Sequence, residues 1–187
     1  MTTPPPSTPV PLSDYALSDD ELRDGLQACL AVPRWVDEVM SHAPFSSLVE
    51  LLDVAAAAAT PLWPGEIDQA LAHHPRIGAK VTGDTTASTF SRAEQQSSAS
   101  EDAGLAQALA AGNAAYEERF ERVFLIRAAG RSRAEILQEL QRRMGLSDEE
   151  EEAVVASELR DIALARIPQL FGLLDSHSAF DGSDAAR

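Results

Sequence analysis

The chain of 187 residues has one cysteine, Cys29, so no disulfide can form within it. Cys29 sits among apolar residues and reads as a small buried hydrophobe. Lysine is almost absent as well: Lys80 is the only one, and arginine supplies the remaining basic charge. Fifteen basic residues stand against 30 acidic ones, a net charge of −15. A surface of that sign repels phosphate backbones and anionic bilayers, which argues against nucleic-acid and membrane partners. Aromatic residues make up 5% of the chain, and no apolar run approaches the roughly 18 residues that a membrane span requires. His42, His73, His74 and His177 show no metal-ligand spacing, and no glycine-rich phosphate loop is present. Neither a metal nor an organic cofactor is therefore expected. Met1 to Pro11 is proline-rich and lacks the apolar stretch of a signal peptide, so the expected location is cytoplasmic.

Alanine and leucine are plentiful, within a hydrophobic fraction of 44%. Both enter helices at little entropic cost. Helix starts recur along the chain. Ser18 to Glu21 spells a capping box, followed at helical spacing by Leu22, Leu26, Cys29 and Leu30. Pro33 suits the first turn of a second helix, with Trp35, Val36, Val39 and Met40 on one face. Ser47 and Glu50 open a third, running through Leu51 and Leu52 to about Ala59. Trp63-Pro64-Gly65 punctuates the chain before a short helix that ends at His73. A further helix spans about Glu101 to Arg119, with Leu105, Leu109 and Tyr116 facing inward. Ser132 with Glu135, and Ser147 with Glu150, open the last two; Pro168 is a candidate kink in the final one. Val123 to Ile126 is strand-like but has no obvious partner. About eight helices without a convincing sheet give an all-α fold. Its single helical domain covers 14–175, between a disordered proline-rich arm (1–13) and a flexible tail (176–187).

His74 to Phe90 breaks the pattern. It holds Pro75, Gly78, Gly83 and four threonines without an apolar period, and it reads as a long ordered loop that carries the active site. The next helix is expected near Ser91. His74, where helix meets loop, can present an imidazole to a cleft as proton donor or acceptor. It can equally be a histidine held at a helix C-terminus by the dipole. Ser91 and Glu94 form a capping box, yet Glu94 and Gln95 can also face the cleft beside the histidine. Around Gly130 and Arg131 the chain offers either free helix amides for an anion or a capped turn with solvated arginines. Arg166 lies beside Ile162 and Ile167, and an arginine on a semi-buried face needs an anion, from a ligand or from Glu158 or Asp161.

Several segments occur together in a fixed order. They are Cys29-Leu30-Ala31-Val32-Pro33-Arg34-Trp35-Val36 with Pro44-Phe45, His74-Pro75-Arg76-Ile77-Gly78, and Ser91-Arg92-Ala93-Glu94-Gln95. Tyr116, Arg119-Phe120, Phe124-Leu125-Ile126 and Gly130-Arg131-Ser132 follow, then Glu158, Ile162 and Arg166. In that order, from about Leu17 to about Leu174, the chain resembles the OHCU decarboxylases, which act on 2-oxo-4-hydroxy-4-carboxy-5-ureidoimidazoline in urate degradation. The resemblance implies an all-helical homodimer that releases CO2 and forms (S)-allantoin without a cofactor. Position by position, it implies His74 as catalytic acid, with Glu94 and Arg166 as the other principal site residues. It puts Pro75, Ser91, Gln95 and the backbone of Phe124, Ile126 and Ala128 on the binding walls. Arg127 departs from the pattern, standing where many members have a cysteine. The ending Asp184-Ala185-Ala186-Arg187 lacks the peroxisomal tripeptide of eukaryotic members. Two other classes stay in view: an inactive relative that only binds ureides, and a helical nucleic-acid-binding module, which the net charge disfavours.

Overall fold

Serine starts four of the helices. In the computed structural model, the side chains of Ser18, Ser47, Ser132 and Ser147 accept the backbone N–H groups of Glu21, Glu50, Glu135 and Glu150 at 3.2–3.3 Å. The glutamates at Ser18, Ser132 and Ser147 reach back to the serine's own N–H, completing three capping boxes. Glu50 instead takes the N–H of Ser46, at 2.7 Å. Proline opens two more helices, at Pro33 and Pro64, where the missing N–H costs nothing.

Residues 17–72, 74, 77, 86, 88–90 and 103–172 are described by the structure. They form α1 (Asp19–Cys29), α2 (Pro33–Met40), α3 (Leu48–Ala58), α4 (Pro64–Leu71), α5 (Ala103–Phe120), α6 (Arg133–Arg143) and α7 (Asp148–Leu170). Thr86 and Ser88 to Phe90 are helical too, and the described residues contain no strand. The fold is all-α, as the composition implies. The arm (1–13) and tail (176–187) expected from the sequence lie outside the described residues. Among the described residues, no helix is long and apolar enough to cross a membrane.

Three expectations need correcting. Trp63-Pro64-Gly65 does not break the chain: Pro64 and Gly65 already belong to α4, because proline fits a first helical turn. That helix stops at Leu71. The far end of the expected loop is helical at Ser88 to Phe90, ahead of Ser91. Threonine and serine are weak helix formers, and of the described residues 86 and 88–90 only Phe90 is buried, so no period was there to read.

Two hydrophobic clusters organise the packing. The first joins the inner faces of α1, α2, α3, α4 and α7, with Trp35 fully buried and its indole N–H donating to the carbonyl of Ala55 at 2.9 Å. The second joins α5 and α6 through Leu109, Tyr116, Phe120, Ile136 and Leu140. Gly112 lets α5 and α6 approach closely, since a Cβ there would stand 3.0 Å from the Leu140 side chain. Between the clusters runs the extended segment from Val123 to Ala128. Val123 and Leu125 pack into the first cluster, and Phe124, Ile126 and Ala128 into the second. From Val123 to Ile126 the two clusters take alternate side chains, the period of two of an extended chain, while Arg127 is exposed. It explains an apolar run that has no strand to pair with.

Candidate active site

His74 stands just beyond the C-terminal end of α4, the helix that packs on α7. Its backbone N–H donates to the carbonyl of Leu71 at 3.0 Å. The imidazole is half-buried, and Nδ1 lies 2.8 Å from the carbonyl oxygen of Ala70. A carbonyl can only accept, so Nδ1 carries the hydrogen. That commits Nδ1 to the helix end and leaves Nε2, itself buried, as the nitrogen through which protons can move. Ile77, three residues on, packs against the second cluster.

Arg166 lies on the α7 face that carries Ile162, Ala163 and Ile167, and it is 3% exposed. Its Nη1 donates to the carbonyl of Cys29 at 3.3 Å, and the guanidinium sits 5.8 Å from the centre of the Phe90 ring. The inward orientation expected from the sequence is what the structure has. The two carboxylates considered as its intramolecular partners hold other groups: Glu158 accepts the backbone N–H of Arg127 at 2.7 Å and lies 3.7 Å from Arg131, and Asp161 holds Arg160.

Phe124, Ile126 and Ala128 are buried, and their side chains belong to the second cluster. What this segment can present to a small molecule is therefore backbone. Part of that backbone is already engaged: the Leu125 carbonyl by Arg143, the Arg127 N–H by Glu158, and the Ala128 carbonyl by the N–H of Arg131. Arg127 itself is exposed. The turn at Gly130, with φ of +80°, leads into a helix start capped by Ser132 and Glu135, so the capped-turn reading holds over an open anion site. The other expected site residues, Pro75, Ser91, Glu94 and Gln95, lie outside the described residues.

One polar group was not singled out from the sequence. Arg143 and Glu151 form an ion pair whose side chains are 0% and 1% exposed. Tyr116 donates its hydroxyl to the same carboxylate. Arg143 also donates to the Leu125 carbonyl at 2.7 Å and lies over the Phe124 ring, 4.7 Å from its centre. Burial, then the neighbouring Glu151, pushes the Tyr116 phenol well above its ordinary range. Tyr116 is thus a core residue that fixes the Phe124–Ile126 stretch from behind. Spacing could have flagged Arg143, which follows Ile136 and Leu140 on the buried face of α6.

The sequence model of the family described as OHCU decarboxylase matches residues 15–168. No curated protein sequence matches the chain. Among solved structures, a crystal structure of OHCU decarboxylase in the presence of (S)-allantoin aligns with a TM-score of 0.67 at 24% identity. That alignment covers 80% of this chain and 98% of the other. A crystal structure of (S)-allantoin synthase aligns with a TM-score of 0.62 at 14% identity, over 87% of this chain and 54% of that one. At such identities the two structures establish a shared fold, whereas the family match spans most of the sequence. The chain belongs to the OHCU decarboxylase family.

Proposed function

We propose that His74, Glu94 and Arg166 carry out the family's reaction, decarboxylation of 2-oxo-4-hydroxy-4-carboxy-5-ureidoimidazoline to (S)-allantoin in urate degradation. The observation that carries the assignment is the commitment of His74 Nδ1 to Ala70, which makes Nε2 the working nitrogen. When the bond to the carboxylate carbon breaks, its electron pair moves into the adjacent ring imine and CO2 departs. The ring nitrogen that received the pair takes up the proton lost by the hydroxyl, whose carbon becomes a carbonyl, and the neighbouring carbon takes up a second proton. One proton is consumed for each CO2 released. Protonated Nε2 supplies that proton to one face, which gives a single enantiomer. Arg166, buried and oriented by the Cys29 carbonyl, anchors the substrate carboxylate with its planar fork. Glu94 accepts from the hydroxyl and ureido groups. Pro75, Ser91, Gln95 and the backbone of Phe124, Ile126 and Ala128 are the remaining substrate contacts in this reading. The substrate's own electron sink removes the need for a metal or organic cofactor, so dialysis against a chelator leaves the rate unchanged. The setting proposed is a cytoplasmic homodimer whose catalytic domain covers 14–175, with the arm (1–13) dispensable.

Two substitutions test the assignment, followed through the ellipticity of freshly generated substrate. His74→Asn lowers turnover by about 10²–10⁴-fold with an unchanged melting curve, the range for a positioned general acid. Arg166→Lys keeps the charge, loses the fork, and weakens catalysis well beyond its effect on stability. Near wild-type rates in either variant would remove that residue from the mechanism.

A further inference from the structure

The buried face of α5 reads Leu109, Asn113, Tyr116 and Phe120, and the asparagine is the odd member. Asn113 is 8% exposed. Its Nδ2 donates to the carbonyl of Ile77 at 3.1 Å, while its Oδ1 is buried and accepts no hydrogen bond. A buried acceptor without a donor works against stability. Leucine would fill the same face without that cost. What asparagine supplies and leucine cannot is the bond to Ile77, and Ile77 stands three residues after His74.

His74 is thus held from behind by the Ala70 carbonyl at the end of α4, and the backbone ahead of it is held by Asn113 on α5. Only two residues of sequence separate the anchored positions, so a shift of Ile77 acts on His74 across a very short stretch of chain. We propose that Asn113 is a positioning residue of the decarboxylation: through the Ile77 carbonyl it fixes the segment that carries His74, and so sets the aim of Nε2. This rests on the assignment of proton delivery to His74.

The test is a double-mutant cycle between Asn113→Leu and His74→Asn. Alone, Asn113→Leu lowers kcat by about 10–100-fold, the scale of an ångström's misplacement, with KM little changed and a melting temperature at or above that of the wild type. In the His74→Asn background it produces no further loss. Equal losses in both backgrounds, or no loss in the first, would overturn the proposal. Asn113→Asp, which matches asparagine in size but faces Ile77 with a second acceptor, repeats the cycle if the leucine variant fails to fold. A readout without substrate accompanies both: the His74 imidazole signals shift in histidine NMR spectra, while those of His42, bonded to Glu38, stay in place. Unmoved His74 signals would also overturn the proposal. If His74→Asn alone retains full activity, the assignment of His74 fails and the role of Asn113 falls with it. If only additivity is seen, His74 stands and Asn113 alone is rejected.

Discussion

At the scale of single residues, the buried group at Arg143 is the sharpest case of charge used in a core. Taking one partner of such a pair away leaves the other uncompensated inside the protein, which costs about 3–5 kcal/mol. Glu151→Ala is therefore expected to lower unfolding stability by about that amount in a urea titration. A loss within the ~0–1 kcal/mol of an exposed pair would show that water reaches Arg143. The helix-end position of His74 and the inward direction of Arg166 were legible in the sequence because each carries a local signal: a histidine at a helix-to-loop junction, and an arginine beside Ile162 and Ile167. Arg143 and Glu151 were masked by the charge runs they sit in, Arg142-Arg143 and Asp148 to Glu152, which look like solvated faces; only the spacing of Arg143 after Ile136 and Leu140 speaks against that. Asn113 gave no signal either, since its value lies in a contact 36 residues away.

At the scale of elements, the helix starts were almost wholly legible, because a serine or proline states its reason locally. The helical turn at Ser88 to Phe90 was hidden, since a single buried phenylalanine makes no period. The caps carry a consequence for acid stability. Hydrogen bonds from the N–H and O–H groups of Ser18, Ser132 and Ser147 hold the carboxyls of Glu21, Glu135 and Glu150 below the ordinary glutamate range, and Ser46 does the same for Glu50. A carboxyl whose folded pKa is depressed stabilises the fold above its unfolded value, and that contribution disappears as pH falls through the folded one. Melting temperature should therefore hold steady above about 5 and decline as pH drops through 4.5 and below. Replacing all four glutamates by glutamine should flatten that decline in a series of thermal melts. An unchanged slope would assign the acid sensitivity to other groups.

At the scale of the whole molecule, a net charge of −15 faces a substrate that is itself a carboxylate. Long-range repulsion slows their encounter, and salt screens it over about 10 Å at 0.1 M. The decarboxylase should accordingly show kcat/KM rising as sodium chloride is added from low ionic strength. A falling profile would mean that the positive charge of Arg166 governs approach despite the surrounding field. The whole fold was legible in its class, because alanine, leucine and repeated caps leave little else to build. The meeting of two clusters was not, for it depends on which distant faces find each other. The segment from Val123 to Ala128 that joins them has a parity: Val123 and Leu125 serve one side, and Phe124, Ile126 and Ala128 the other. Removing or adding one residue there would exchange the two sets, sending Leu125 toward one core and Phe124 toward the other. Length variation in descendants of this chain should therefore avoid that stretch, or come in pairs.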